Sequence, residues 1–408
     1  MSEPADRKKR LARAFTGLVL RLALPVVRLL TRSTRTDVRR SLWAGTPILT
    51  LPVKAKAERL LGVKADTLVF QTYYITSDFR YDLSRWNRGP GVWRSLILPL
   101  GVLLWAACRY QRFHYFCDRG LLPGERFEVR EDELRFLRAL RKELFFYTYG
   151  ADVRTRHATL SLGEPNCCMT CPEPGRFCIC DDEAGAKEQA KLRTYATGIF
   201  ALGDMVHYTP GSRNDLYFWP IDLSKEDGKR YEPRYPDPEA TGPVKVVHAP
   251  NHQGFKGTPH LIAAVKRLQD RGLPVELQLV ERVPNREALE IYRGADVVFD
   301  QCLIGYHGYF ALEAMAMGKP VCVFLRDPVL APDECPLVNV RPETVEMVLE
   351  ELIQDRPRLH ELGRQGRRYI ERHYTVEAFT KRLGRALGEV GQTAQVMASG
   401  GGGGGPDG

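Results

Sequence analysis

The sequence predicts an α/β protein of two doubly wound, Rossmann-like parallel-sheet domains facing a cleft, and three observations carry that expectation. Short apolar runs rich in Val, Leu and Phe alternate with helix-length segments from residue 46 onward. A polar stretch at 223–243, with Pro233, Pro236, Pro238 and Pro243, divides the alternation in two. Late in the second half, a loop holding Gly305 and Gly308 opens a helix that carries Glu313 and closes on Gly318, Lys319 and Pro320 before the apolar run 321–325. At 408 residues and 44% hydrophobic composition, the chain has material for two cores.

Residues 1–40 form a basic arm: they hold eleven Lys/Arg against three Asp/Glu, and so +8 of the formal +9. On a helix of about 100° per residue, Arg10, Arg21, Arg28, Arg32, Arg35 and Arg39 share one face, while Leu18, Val19, Leu20, Leu22, Val26, Val27, Leu29 and Leu30 take the remainder. This pattern fits an amphipathic helix on an anionic membrane surface, with a solvated basic helix covering the first domain as the alternative. Arg21 and Arg28 interrupt the apolar run before the ~18 residues needed to span a bilayer, and Pro25 is expected to kink or divide the helix. With Arg21 inside the apolar stretch and no small-residue cleavage site after it, a secretory signal is not expected, and the protein is placed in the cytoplasm at the inner face of the membrane. No nucleic-acid partner is expected, since only Phe15 interleaves the arginines and no binding motif accompanies them.

The first domain is assigned to 41–235. Strands are predicted over 46–51 and 66–70 with a helix over 54–61 between them, a buried helix over 93–108, then a strand at 114–117, a helix at 131–142 and a strand at 144–149. The last strand ends at Gly150 and Asp152, where an open sheet presents residues to a crevice. Asp152 and Arg154 fit either a structural ion pair or an acceptor contact. An insertion at 163–183 carries Cys167, Cys168, Cys171, Cys178 and Cys180. The C-x2-C and C-x-C spacing of Cys168, Cys171, Cys178 and Cys180 suits a structural tetrahedral zinc; free thiols, an iron–sulfur cluster and disulfides are the other outcomes of the same pattern.

The second domain is assigned to 236–374, with strands over 244–249, 275–281, 296–300 and 321–325 and helices over 259–270, 285–293, 342–355 and 358–374. It lacks a G-x-G-x-x-G fingerprint. A helix over 375–392 is expected to cross back to the first domain, and the Gly-rich tail 393–408 is expected to be flexible and without function.

Lys256 follows an apolar strand and precedes Gly257, Thr258 and a helix, an arrangement that brings a cation and free N–H groups to an anion. Glu313, set among Phe310, Ala311, Leu312, Ala314 and Met315, is a carboxylate that needs partners, which two ribose hydroxyls would supply. The run Glu313-Ala-Met-Ala-Met-Gly-Lys-Pro-Val321 resembles the second half of the E-x7-E motif of retaining glycosyltransferases of family 4, which have the GT-B fold. His248-Ala-Pro-Asn251-His252-Gln253-Gly-Phe-Lys256-Gly257-Thr258 is similar to that family's phosphate loop, Gly150-Ala-Asp152-Val-Arg154 to its G-x-D-V-R segment, and Trp219-Pro-Ile-Asp222-Leu to the element before its linker.

The resemblance implies transfer of a hexose from a nucleotide diphosphate sugar, of UDP or GDP type, to a glycan or glycolipid acceptor with retention, without a catalytic metal or a protein nucleophile. It assigns catalysis to Lys256 and Glu313, and donor binding to Asn251, His252, Lys256, Gly257, Arg282, Val283, His307, Gly308, Tyr309 and Glu313. Three positions depart from the pattern. The first glutamate of E-x7-E falls on Gly305, the phosphate-binding arginine falls on Asn251 or Gln253 with His252 the nearby substitute, and Tyr149 stands for a histidine. These departures motivate a second expectation, a catalytically degenerate GT-B scaffold in a membrane-bound polysaccharide assembly complex.

Overall fold

The computed structural model describes residues 3–33, 38–73, 76, 78–89, 91–224 and 228–388. The tail expected at 393–408, the end of the expected return helix and Arg35 lie outside the described residues. The chain opens with α1 (Glu3–Ser33), which continues through Pro25 and is not divided there. Thr16, Leu20 and Val27 face inward. Arg13 is 2.7 Å from Glu128, and Arg28 donates to the Ala139 carbonyl at 3.0 Å, so the helix is fastened along its length. Its opposite face exposes Leu11, Phe15, Leu18, Leu22, Val26 and Leu29. Length and composition allow Arg10–Thr31 to cross a membrane, with a window of mean hydropathy 1.6. By length and composition alone the run that Arg21 and Arg28 interrupt is therefore longer than the sequence reading allowed.

Among the described residues, β1 (Arg40–Gly45), β2 (Lys64–Val69), β3 (Tyr81–Asp82), β4 (Arg112–Phe116), β5 (Glu143–Tyr147) and β6 (Gly198–Phe200) form a parallel sheet in the order β3-β2-β1-β4-β5-β6. The strand expected at 46–51 is displaced: β1 ends at Gly45, and the next residues turn into α2 (Leu51–Arg59). β1 is central and buried on both faces, so Ser41, whose hydroxyl bonds the Glu58 carboxylate, sits in the core and breaks the apolar pattern that marks a strand. Arg112 pairs with the same carboxylate at 2.9 Å, tying β4 to α2. The segment 93–108 forms a π-helical turn at Trp93–Ile97 and then α3 (Leu98–Arg109). Its inner side is buried, while Ile97 and Trp105 are exposed. α4 (Glu131–Ala139) precedes β5, and α5 (Arg156–Ser161) and α6 (Asp182–Tyr195) lie between β5 and β6. The Asp181 side chain caps α6 by accepting from Ala184 N at 2.8 Å.

The second sheet comprises β7 (Val244–His248), β8 (Val275–Leu279), β9 (Val297–Gln301), β10 (Val321–Val323) and β11 (Val338–Asn339), all parallel, in the order β11-β10-β9-β7-β8. It carries α7 (Gln253–Lys256), α8 (Thr258–Asp270), α9 (Asn285–Arg293), α10 (Tyr309–Ala316), α11 (Val345–Gln354) and α12 (Arg356–His373). The chain then returns: α13 (Val376–Leu387), capped by the Thr375 hydroxyl on Ala378 N, packs on α2 and bonds the Ala57 carbonyl through Thr380 at 3.2 Å. In each sheet, strands leave the first strand of that sheet in both directions. The crevice at such a switch point lies beyond the carboxyl ends of the strands.

Candidate functional site

The carboxyl ends of the two sheets face each other across a cavity of about 530 Å³. Thr50, Tyr149, Arg154 and Asp204, from the segments after β1, β5 and β6, line one wall. Asn251, His252 and Lys256 after β7, and Tyr306 to Tyr309 after β9, line the other. A larger cavity of about 1010 Å³ lies between residues 125–135 and α6; Cys178 alone of the predicted site residues reaches it, and its walls carry charges of both signs.

Lys256 ends the single turn α7, and Gly257 after it has φ +74°. A Cβ on Gly257 would lie 2.3 Å from the Cys302 sulfur, so glycine alone lets this loop press onto the end of β9, where Cys302 N donates to the Lys256 carbonyl at 3.1 Å. The Lys256 ammonium is 2.6 Å from Asp300 Oδ1, and Asp300 Oδ2 accepts from Gly308 N at 2.5 Å. One fully buried carboxylate thus joins the lysine to the N-terminus of α10. Sequence reasoning missed Asp300. Its signal is an acidic residue closing the apolar run Val297, Val298 and Phe299 at the carboxyl edge of the sheet.

Glu313 is buried one turn into α10, behind the cavity wall formed by Tyr309 and Phe310. Its Oε1 accepts from the Tyr231 hydroxyl at 3.2 Å and from Asn285 Nδ2 at 3.1 Å. Burial, only partly offset by these two donors, raises its carboxyl to about 7.

The surroundings of both predicted histidines disfavour the charged form. His252 is wedged between Phe177, with ring centroids 3.7 Å apart, and Phe255, stacked at 4.5 Å. Burial and then Arg176 push its pKa below the ordinary value, which works against an added cation there. His307 is buried, held by the Tyr374 hydroxyl at 3.3 Å, and pushed down to about 4 by burial. Asn251 is exposed at the cavity mouth. Arg282 and Val283 lie outside the cavity wall, although Gln253 reaches Glu281 at 2.9 Å and ties their loop to α7.

Asp152 folds back on its own turn, accepting from Tyr149 N and Gly150 N at 3.0 and 2.9 Å. Arg154 instead lines the cleft.

The expected zinc site is not formed. Among the described residues no group of three or more His, Cys, Asp or Glu is placed to hold a metal ion, and all ten cysteines are free thiols. Cys168 packs with Cys167 into the second sheet's core, and Cys180 takes φ +61° and bridges to Thr155 on the first-domain side, while Cys178 stays near enough to Cys180, Cys168 and Cys171 for their charges to add to burial in raising its pKa. Cys171 is half-buried, and Cys178 is buried. The insertion rests on the phosphate loop, with Thr170 Oγ1 3.5 Å from the Gly254 carbonyl and Pro172 beside it.

No protein-family model matches the sequence, and no curated protein matches it. Solved structures match its fold. Sucrose-phosphate synthase from Thermosynechococcus elongatus superposes with a TM-score of 0.53 at 14% identity, over 88% of this chain and 100% of that one. MnaA of S. aureus, from its UDP co-structure, gives 0.47 at 12% identity over 87% and 98%. The glycosyltransferase SnogD from Streptomyces nogalater gives 0.41 at 14% over 86% and 99%. At these identities the likeness concerns architecture, and the first of the three carries it: the chain has the two Rossmann-like domains of the GT-B fold.

Proposed function

We propose that the chain is a GT-B glycosyltransferase of the family 4 type, which moves a hexose from a UDP- or GDP-sugar to a glycan or lipid-linked glycan with retention of configuration. The supporting observation is the meeting of Lys256, the N-terminus of α10 and Arg154 around one cavity at the carboxyl ends of both sheets. An ammonium has three N–H donors, and Asp300 takes one from Lys256, so two remain for a diphosphate. The first amides of α10 have no partner within the helix and add to the same anion site. As the sugar departs, charge gathers on the diphosphate, where fixed donors out of bulk water are most effective.

Melting the protein with UDP-, GDP- and ADP-sugars tests this. A ligand at about 100 times its Kd stabilises by about 2.7 kcal/mol, so the cognate donor should raise the melting temperature. No rise with any of the three overturns the donor site. The scaffold reading draws on Asp300, which engages both Lys256 and Gly308, and on Gly305. It predicts nucleotide binding without release of nucleoside diphosphate in the presence of acceptor.

The same proposal lays α1 in the plane of an anionic membrane at the inner face. In support, the exposed leucines and Phe15 recur every three or four residues opposite the buried face, and the exposed Arg10 and Arg21 flank them. The contacts of Arg13 and Arg28 with the first domain would have to break for α1 to cross the bilayer. Each outward leucine contributes about 1.5–3 kcal/mol when buried. Replacing Leu18, Leu22 and Leu29 by Gln should therefore abolish flotation with phosphatidylserine vesicles while sparing donor binding. Unchanged flotation removes α1 from the membrane.

A further inference from the structure

We propose that Asp204 supplies, from the opposite sheet, the carboxylate that receives the hydroxyls of the donor hexose; this rests on the donor-site reading above. Gly305 is the starting point. Its φ is +101°, a region that L side chains rarely adopt, and a Cβ built there would meet Asp204 Oδ2 and Arg326 Nε, each at 3.1 Å. The space that a side chain at 305 would fill is therefore held by an acidic group from the first domain.

Asp204 stands in the short turn Gly203–His207 that follows β6. It is 1% exposed, it lines the cleft, and neither of its carboxylate oxygens has a hydrogen-bond partner. The Nε atoms of Arg154 and Arg326 beside it are also unpartnered. A buried carboxylate without hydrogen bonds is costly unless something else satisfies it. Arg154, Arg326 and His207 offset its charge without bonding it, which leaves both oxygens open to hydroxyl donors from the cavity that it lines.

The turn is fixed in place. Gly203 has φ +56°, and the Tyr306 ring lies where its Cβ would be, at 2.2 Å. Gly203 N donates to Asn214 Oδ1 at 2.8 Å, and Asn214 Nδ2 donates to the Leu330 carbonyl at 3.1 Å, which links the turn to the second domain. Asp204 is thus held beside Gly305 by both halves of the molecule.

The chemistry selects the ligand. Two acceptor oxygens suit a pair of neutral hydroxyls, and with its charge offset by Arg154 beside it Asp204 is left to accept, while Lys256 and the α10 N-terminus on the other wall of the same cavity face the anion. A nucleotide sugar has both parts: diphosphate for Lys256, hydroxylated ring for Asp204.

Isothermal titration of UDP-glucose, GDP-mannose and ADP-glucose, each beside its free diphosphate, tests the assignment on wild type and Asp204→Asn. The amide keeps the shape and turns one acceptor into a donor. The best nucleotide sugar should lose about 10- to 100-fold in affinity, while its free diphosphate changes by less than about twofold. Asp204→Ser repeats the comparison should the amide disturb folding. Equal weakening of both ligands, or of neither, overturns the assignment to the hexose. Failure of wild type to bind any diphosphate or sugar overturns the donor site itself, and the assignment with it.

Discussion

The double variant Lys256→Met/Asp300→Asn should fold about as well as wild type and release nucleoside diphosphate about 10²- to 10³-fold more slowly. The argument begins with the pair. Lys256 is the sole charged partner given to Asp300 by an ion pair among the described residues, and Asp300 is fully buried. Lys256→Ala alone therefore strands a buried charge, at a cost of about 3–5 kcal/mol in stability, and its loss of turnover would be confounded with unfolding. Removing both charges avoids that, because the amide oxygen introduced at position 300 could still accept from Gly308 N. On the proposed reading, what the double variant lacks is the cation facing the departing diphosphate. Thermal melts beside single-turnover rates read the two quantities separately. Normal stability with undiminished turnover would remove Lys256 from the chemistry, and poor stability would mean that the pair holds the cleft together.

Much of this fold was legible because buried parallel strands read as apolar runs closed by Gly or Pro. β5 and β7 show this directly, and β2, β4, β8, β9 and β10 also lie within a few residues of their expected spans. β1 was misplaced because Arg39 and Arg40 continue the basic arm without a break and because buried Ser41 takes its partner from Glu58 rather than from its own strand. β3 and β11 have two residues each and β6 three, too few to display a period.

The site divides in the same manner. Lys256, Gly257 and Gly308 stand in runs whose order alone signals an anion loop, and the structure brings all three to one place. Asp300 is a single carboxylate near the end of β9 and Asp204 one in the turn after β6, and no spacing marks them. Their importance arises from approach: Asp300 lies 44 residues from Lys256 in sequence, and Asp204 reaches Gly305 across the cleft. The cysteine spacing misled for the converse reason. Regular intervals bring Cys168, Cys171, Cys178 and Cys180 into one neighbourhood but do not by themselves set ligand geometry, and here Cys167 and Cys168 pack into the second sheet's core.

Glu313→Gln should remove a pH dependence from stability and weaken the nucleotide. Burial raises the Glu313 carboxyl from 4.5 to about 7 in the folded protein. Between those values the native state binds more protons than the unfolded state, so stability falls as pH rises from about 4.5 to about 7 and levels off above it. A rise of this size corresponds to about 3 kcal/mol. Glutamine cannot ionise and keeps the Oε1 acceptor for Tyr231 and Asn285. Wild type and variant should melt alike near the lower pH, and the variant should gain the advantage as pH rises, reaching its full margin by about pH 8. Subtracting the two melting curves removes other raised carboxyls, such as Asp152, which burial and then Asp118 lift to about 7. Affinity is the second readout. Both protein donors act on Oε1, so the donor-site reading gives Oε2 to the ribose hydroxyls, and its replacement by an amide should cost about 10- to 100-fold in nucleotide binding at pH 8. A stability margin that opens with pH while nucleotide affinity stays unchanged would assign Glu313 to holding α9, α10 and Tyr231 together, with no part in binding the donor.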